Sequence, residues 1–334
     1  MMDAGCSLAS TRRQFLAGAL ALTEGALCGQ VRKYAPRIVC NTYYWNQWFS
    51  TPFRYIAASP DPLKGPPPAR PASTGGSVWT AEQWDSVCSD MKYAGYRRME
   101  LTNSNFLGTP IGDILPVLDK YGVFVDHIWN GGRLYPAQVG EKTIASTIEM
   151  LDRAKPLQSP CLFHDPFGDV GPLSEEDART QNRNLDRLGR ALNDRSMKLY
   201  VHNHQGPMRY GAKEWLGVVD NTDPALVSMC LDLDWTWQAG TDPFPLLYKA
   251  GDSGRLGALH LRTQHMMITD QTMEDGGDID FYKVADYLRK IQFDGVLVEE
   301  TEPMKETKIT RTLRENKRIA RIWCEKVFGV SAMT

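Results

Sequence analysis

Residues 174–204, SEEDARTQNRNLDRLGRALNDRSMKLYVHNH, contain the structural unit that decides the fold. Ser174 stands three residues before Asp177, which is the spacing of a helix start, and a mostly polar segment follows to residue 194. The strand-like segment KLYV then leads into HNH at 202–204. A helix followed directly by a short strand predicts parallel strand pairing, because the helix returns the chain to the same end of the sheet.

The same alternation of strand and helix extends over most of the chain. The predicted strands are 37–45, 97–102, 123–129, 160–165, 198–204, 228–235, 257–262 and 295–300. Eight strand–helix units in about 300 residues predict an α/β fold, a single-domain (β/α)8 barrel over residues 36–330. A doubly wound open sheet is the alternative, but no Gly-rich phosphate loop follows the first strand.

A segment rich in Pro, Gly and Ser, residues 50–77, interrupts this alternation after the first strand. Its composition favours neither a helix nor a strand. We therefore interpret it as a long loop over the mouth of the barrel.

The first 30 residues are typical of an export signal. Arg12 and Arg13 directly precede a short apolar run, which is the layout of a twin-arginine signal peptide. Acylation of Cys28 is a weaker alternative, because bulky Leu27 stands where a lipoprotein signal has a small residue. The run is shorter than the ~20 apolar residues that span a membrane, so no stable membrane anchor is expected. We expect the protein in the periplasm or exported by the twin-arginine route.

Charge and cysteine usage limit the kinds of partner and site. The formal net charge is −2 and no basic block is interleaved with aromatic residues, so nucleic acid is not an expected partner. The basic stretch 305–326 predicts a helix with a solvated face, because it has apolar residues at helical spacing: Ile309, Leu313, Ile319 and Ile322. No CxxC pair is present, and we interpret five cysteines as small buried hydrophobic residues: Cys40, Cys88, Cys161, Cys230 and Cys324. The sequence leaves open whether the protein forms an oligomer.

Side chains suited to metal binding gather at the ends of the predicted strands. The carboxyl ends of all strands of a (β/α)8 barrel meet at one mouth, where such barrels carry their chemistry. Five of the six histidines fall there, together with several acids: His127, His164, His202, His204, His260, Glu100, Asp232, Asp234, Glu299 and Glu300. Imidazoles and carboxylates that converge on one point predict a site for a divalent metal ion.

Five short motifs, in this order, resemble one family. They are YAGYRRMELT at 93–102, YVHNH at 200–204, CLDLDW at 230–235, ALHLR at 258–262 and FDGVLVEE at 293–300. Their order and spacing are similar to those of the xylose isomerase-like TIM barrels, also called the sugar phosphate isomerase/epimerase or AP-endonuclease-2-type superfamily. The resemblance covers nearly all of the chain from about residue 38 onward.

The resemblance implies one divalent cation held at the fifth to eighth strand ends. By position its ligands are His202, Asp232, His260 and Glu299, and the family usually has a glutamate where His202 stands. Catalytic roles are implied for Glu299 and for His204, whose side chain points the same way as that of His202 because strand side chains alternate. Which of the two histidines binds the metal stays open.

A histidine in place of the usual glutamate changes the expected chemistry. The nitrogen-richer set of ligands favours Mn, Zn, Co or Fe over Mg, and one of the two bases that epimerases of this family use is missing. The expected reaction is isomerisation or epimerisation of a carbohydrate, such as a keto-sugar or a glycoside, through proton abstraction next to a carbonyl and a metal-stabilised enediolate. One alternative is a metal-dependent lyase or dehydratase that acts by β-elimination on a keto-sugar or a cyclitol. The alternative of another class is a non-catalytic exported carbohydrate-binding barrel.

A small-molecule carbohydrate is the expected partner, and further side chains are candidates for contacting it. They are Glu100, His127, His164, Trp45, Trp129, Trp235 and Arg262. The tryptophan rings either stack on the apolar C–H face of a sugar or pack against the long loop. Trp235 stands where many relatives have a histidine, which adds stacking surface, and no basic cluster marks a phosphate site.

Overall fold

The strands predicted from the sequence close into a parallel barrel. The structure is a computed structural model and describes residues 33–50, 78–167 and 172–333. Its strands are β1 (Arg37–Asn41), β2 (Arg98–Thr102), β3 (Phe124–Gly131), β4 (Cys161–Asp165), β5 (Lys198–Val201), β6 (Val227–Asp232), β7 (Leu256–Leu261), β8 (Gln264–His265), β9 (Ile268–Thr269) and β10 (Val296–Glu299). Eight of them form the closed barrel β1-β10-β7-β6-β5-β4-β3-β2, and β8 pairs with β9 in a separate antiparallel hairpin. The predicted (β/α)8 fold is confirmed.

Helices alternate with the barrel strands along the chain. They are α1 (Tyr43–Ser50), α2 (Ala81–Ala94), α3 (Asn103–Phe106), α4 (Ile111–Tyr121), α5 (Ala137–Ala154), α6 (Glu175–Asn193), α7 (Gln205–Asn221), α8 (Leu233–Gln238), α9 (Pro243–Asp252), α10 (Phe281–Lys290) and α11 (Leu313–Phe328), with a 3-10 turn at Lys155–Leu157. Ser174 caps α6, since its hydroxyl accepts a hydrogen bond from the backbone N–H of Asp177 at 3.1 Å. The predicted start of this helix is therefore confirmed.

Apolar side chains fill two layers, one inside the barrel and one around it. The inner layer consists of Val39, Cys161, Phe163, Tyr200, Cys230, Ala258, Val296 and Val298. Intervening strand residues such as Leu231, Leu259 and Leu297 belong to the larger outer core, which includes the buried faces of the helices. This alternation follows from the pleat of a strand, whose successive side chains point to opposite faces. The inner layer closes the lower part of the barrel and leaves polar side chains above it.

The C-terminal helix α11 packs on the barrel with a face that the sequence does not predict correctly. Its buried residues are Leu313, Asn316, Lys317, Ala320, Trp323, Cys324, Val327 and Phe328. Ile322, which was expected on the apolar face, has 43% of its surface exposed. Lys317, a basic residue of this stretch, is completely buried. Lys317 is buried because it faces the buried carboxylate of Glu299.

Other expectations concern the cysteines, the N-terminal signal and the long loop. Each of the five cysteines is a buried free thiol, as interpreted from the sequence: Cys40, Cys88, Cys161, Cys230 and Cys324. The proposed signal at 1–30 lies outside the described residues, as does the predicted loop at 50–77 apart from Ser50, which ends α1. Within the described ranges, no helix combines the length and the apolar character needed to cross a membrane.

Candidate functional site

Asp232 and His260 form the centre of a polar cluster at the carboxyl ends of the strands. They occupy paired positions on the neighbouring strands β6 and β7, so their side chains leave the barrel wall on the same face. Cys230 and Ala258, their counterparts two residues earlier, belong to the inner apolar layer. Asp232 Oδ2 lies 3.9 Å from His260 Nδ1, and both residues are buried. The cluster therefore stands directly above the apolar interior of the barrel.

His202 faces Asp232 and His260 from the end of β5. Its Nε2 lies 3.6 Å from Asp232 Oδ2, and its ring centroid lies 4.5 Å from that of His260. Although His202 is buried, neither of its ring nitrogens has a hydrogen-bond partner among the described residues. Burial and the nearby His260 lower the pKa of His202, which favours the neutral imidazole. A neutral, unpartnered imidazole is what a metal ion needs as a ligand.

The acid that faces this cluster from the last barrel strand is Glu300. Its Oε2 shares a hydrogen bond with His260 Nδ1 at 2.7 Å. Glu299, which was expected there as a metal ligand and a catalytic residue, pairs in the barrel with Leu261 and Cys40, both members of the outer core. Its carboxylate accordingly lies outside the barrel wall, against Lys317 of α11. The expected placement of Glu299 is therefore corrected to Glu300, because the strand directs alternate side chains to opposite faces.

Glu100 and His127 support the cluster from inside the barrel. Glu100 Oε2 lies 2.5 Å from His127 Nε2 and 3.1 Å from His260 Nε2, the latter within ion-pair distance. His127 stacks on Phe163 with ring centroids 3.7 Å apart and is completely buried. Both were candidates for contacting a substrate. Their burial instead places them behind His260, with the Glu100 carboxylate at ion-pair distance from that ring.

Arg262 is surrounded by carboxylates. Its Nη2 lies 2.9 Å from Asp232 Oδ2, its Nε lies 3.1 Å from Asp234 Oδ2, and its Nη1 donates a hydrogen bond to Glu302. Its Nη2 also lies 3.9 Å from Glu300 Oε2, and the guanidinium sits 4.7 Å from the Trp235 ring. Because this cation is buried and already paired with acids, it has little capacity left for an anionic ligand.

His204 lies at the opening of the site and is paired with an acid. Its Nδ1 shares a hydrogen bond with Asp165 Oδ2, and 37% of its side-chain surface is exposed. Burial lowers the pKa of His204, but the hydrogen bond to Asp165 and the charges of nearby acids outweigh this effect and raise it overall. The rings of Trp129 and Trp235 stand edge-on to His204, with centroid distances of 5.9 Å and 5.7 Å. An imidazole–carboxylate pair between two indole rings is an arrangement suited to proton transfer beside an apolar wall.

Two of the predicted substrate contacts lie elsewhere. His164 occupies an outward-facing position on β4, paired with Val201 of the outer core, and its Nε2 contacts the carbonyl oxygen of Gly132 at 3.0 Å. Trp45 is completely buried on α1, and its indole N–H donates to Asp90 of α2 at 3.2 Å. Both predictions are corrected: strand alternation directs His164 outward, and helix packing removes Trp45 from the mouth.

Three residues of the candidate site were missed by sequence reasoning. Asp165 follows His164 directly in CLFHD, so its side chain lies on the opposite, inner face of β4. Asn41 donates hydrogen bonds to Glu100 and to Glu300, although an asparagine at a strand end carries no distinctive signal. Glu300 was recognised as a strand-end acid but was not selected.

The donor set fits a divalent metal ion. One ligand atom from each of His202, Asp232 and His260 lies within 4.8 Å of the other two, and Glu300 Oε2 adjoins His260 Nδ1. The unpartnered ring nitrogens of His202 are the feature that this fit explains best, because a buried polar group without a partner is otherwise costly. Two imidazoles and two carboxylates suit Mn, Zn, Co or Fe.

Curated proteins similar to this chain are named inosose dehydratases. The protein of that name from Clostridium tetani is 26% identical over an alignment of 155 residues, with 41% of this chain and 51% of that protein covered. The chain thus spans about half the length of the curated relatives it matches.

Solved structures share the fold at low sequence identity. A sugar phosphate isomerase/epimerase from Parabacteroides distasonis matches with a TM-score of 0.62 and 16% identity, covering 87% of this chain and 94% of that one. A structure of L-ribulose 3-epimerase matches with a TM-score of 0.63 and 12% identity, covering 88% and 95%. A family model described as a xylose isomerase-like TIM barrel matches residues 89–321, which is more than half of the chain. By this match, the chain is a member of the xylose isomerase-like TIM barrel family.

Proposed function

We propose that this protein is a divalent-metal-dependent enzyme that moves a proton on the carbon next to a carbonyl group of an uncharged carbohydrate. The observation that carries the proposal is the convergence of His202, Asp232 and His260, whose ligand atoms lie within 4.8 Å of one another. The sugar isomerases, epimerases and inosose dehydratases that this chain resembles support the same class of reaction.

The metal ion would be held by His202, Asp232, His260 and Glu300. Bound there, a divalent ion polarises a substrate carbonyl and makes the neighbouring C–H group more acidic. Glu100 contacts the far nitrogen of His260, at 3.1 Å, and so holds Nδ1 of that ring toward Glu300 and Asp232. A carboxylate behind a metal-binding histidine in this way fixes the orientation of the ring.

His204 is the proposed acid–base residue. Its Nδ1 is engaged by Asp165, so Nε2 is the nitrogen left to exchange a proton with the substrate. The hydrogen bond to Asp165 stabilises the imidazolium that forms when His204 accepts this proton. In an isomerisation, His204 returns the proton to the neighbouring carbon on the same face; an epimerisation requires a second proton donor on the opposite face.

An uncharged substrate is supported by the charges around the opening. Asp232, Glu300 and Glu302 lie around Arg262, which is already paired with four acids, and Asp165 is paired with His204. A phosphate or carboxylate group would meet like charge there. The indole rings of Trp129 and Trp235 beside His204 instead offer apolar faces to the C–H groups of a sugar or a cyclitol.

A dehydratase is the second candidate. The raised pKa of His204 suits it to donate a proton to a leaving hydroxyl group as well as to remove one from carbon. The similarity to the inosose dehydratase of Clostridium tetani favours this reaction on a cyclitol ketone.

The test is a screen of the purified full chain, loaded with Mn²⁺, against ketoses, 3-keto-sugars and inosose-like ketones in heavy water. Mass spectrometry that finds deuterium in a product of unchanged composition supports isomerisation or epimerisation. Loss of water supports the dehydratase. A chain that binds a sugar but retains no divalent ion and turns nothing over would refute both candidates in favour of a carbohydrate-binding protein.

A further inference from the structure

Behind the candidate site lies a buried ion pair between Glu299 and Lys317. Lys317 Nζ lies 3.1 Å from Glu299 Oε1 and 3.0 Å from Oε2, so the ammonium bridges both carboxylate oxygens. Both side chains are completely buried. The pair joins the end of β10 to helix α11 on the outer side of the barrel wall.

Several further polar contacts of this pair involve chain segments next to the site, and one involves Tyr96, which precedes β2. Glu299 Oε1 accepts hydrogen bonds from the backbone N–H of Thr301, at 2.9 Å, and from its hydroxyl. Glu299 Oε2 accepts one from the hydroxyl of Tyr96 at 3.2 Å. Lys317 Nζ donates to the carbonyl oxygen of Asn41 at 3.3 Å. The pair therefore fixes the chain on both sides of Glu300 and at the end of β1.

The residues held in this way are the ones that face the cluster. Asn41 Nδ2 donates hydrogen bonds to Glu100 Oε1 and, at 3.2 Å, to Glu300 Oε1. Glu300 Oε2 in turn contacts His260. A displacement of the Asn41 carbonyl or of the turn at Thr301 would thus be transmitted to both the amide and the carboxylate in the site.

Stability alone does not account for such a pair. Removing two charges from water is costly, and replacing a buried ion pair by well-packed apolar residues of similar volume is often neutral or stabilising. What apolar side chains cannot supply is the set of directed hydrogen bonds to Asn41, Thr301 and Tyr96.

We propose that the Glu299–Lys317 pair is a positioning device that holds Asn41 and Glu300 in the geometry needed to bind the metal ion. Glu299 and Lys317 are positioning residues, since neither faces the cluster itself. This inference rests on the proposed function, because it assigns the pair a role toward the ligand set formed with His202, Asp232 and His260.

The test uses the full chain and Mn²⁺ alone, with isothermal titration calorimetry for affinity and the visible spectrum of bound Co²⁺ for ligand geometry. The single variant Lys317→Met leaves Glu299 buried without its cation and is expected to unfold easily. The double variant Glu299→Met/Lys317→Met removes both charges and is expected to retain the fold. The control is Val327→Ala, a buried substitution ten residues further along α11, about 15 Å away along the helix axis.

We expect the double variant to bind Mn²⁺ 10- to 100-fold more weakly than the wild type, the range found for lost outer-shell contacts, and to give a changed Co²⁺ spectrum. Val327→Ala is expected to bind Mn²⁺ normally despite any loss of stability. A folded double variant with wild-type affinity and spectrum would overturn the positioning role while leaving the proposed function intact. A wild-type chain that binds neither ion would overturn the proposed function and this inference together.

Discussion

Glu300 Oε2 lies 2.7 Å from Nδ1 of His260, whereas the carboxylate of the preceding residue lies on the other side of the barrel wall. Two adjacent acids thus have separate tasks. One faces the imidazoles at the mouth, and the other neutralises a buried lysine. The role of Glu300 can be measured directly through its effect on metal affinity.

Glu300→Gln is expected to lower the affinity for Mn²⁺ by at least tenfold, because an amide is a poorer ligand than a carboxylate. Calorimetric titration measures this change. The matched control is Glu302→Gln, which makes the same chemical change two residues later, where the carboxylate pairs with Arg262 instead of His260. Equal losses in the two variants would contradict the assignment of Glu300 as a ligand.

His204→Gln is expected to reduce turnover by about 10²- to 10⁴-fold, which is the usual contribution of a general acid or base. Mn²⁺ affinity should stay close to that of the wild type, because His204 is engaged by Asp165 and is not one of the four proposed ligands. Deuterium exchange into the substrate identified by the screen measures the first quantity, and calorimetry the second. If metal binding disappeared together with turnover, His204 and not His202 would be the ligand.

Trp235→Ala is expected to raise KM about three- to tenfold with a smaller effect on kcat, because a stacked ring contributes about 0.5–1.5 kcal/mol beyond its buried area. Trp235→Phe retains an aromatic face and serves as the control. Steady-state kinetics on the same substrate separate the two parameters. An unchanged KM in the alanine variant would indicate that this indole packs against protein and not against a sugar.

Because of His164, we expect the folded protein to lose stability in mild acid. Burial lowers its pKa from 6.5 to about 4, so between these values the unfolded chain binds a proton that the folded chain excludes. Stability is therefore complete above pH 6.5 and falls as the pH drops toward 4, by about 2 kcal/mol at pH 5. Urea unfolding at pH 7.5 and pH 5 measures the difference. His164→Gln should reduce the loss by that amount, and an identical pH dependence in both proteins would contradict the prediction.

The fold could be predicted from the sequence because strand and helix segments differ clearly in composition. The predicted strands 97–102 and 160–165 each begin one residue before β2 and β4. The first strand was extended too far, to residue 45, because the aromatic run after Asn41 suits a strand as well as a helix, and α1 begins at Tyr43. The strand predicted for 228–235 ends at Asp232, whose carboxylate accepts a hydrogen bond from the backbone N–H of Trp235 and caps α8.

The site was harder to predict because a parallel barrel strand is apolar on both faces. In VLVEE, alternating polarity does not reveal which side chains point inward, so Glu299 and Glu300 look equivalent. The same ambiguity affected His164, which lies in an equally apolar strand. Lys317 could not be assigned either, since a lysine on a charged helix is normally solvated and only the buried Glu299 opposite it explains its position.

The contact between Lys317 and Asn41 joins residues 276 positions apart in the chain. Contacts of such long range form late when a protein folds, because a large loop must close first. Strand β1 and helix α11 must therefore meet before the Glu299–Lys317 pair can hold Asn41 and Glu300 in place. Assembly of the proposed metal site should for this reason coincide with barrel closure, so that a partly folded chain would bind no metal ion.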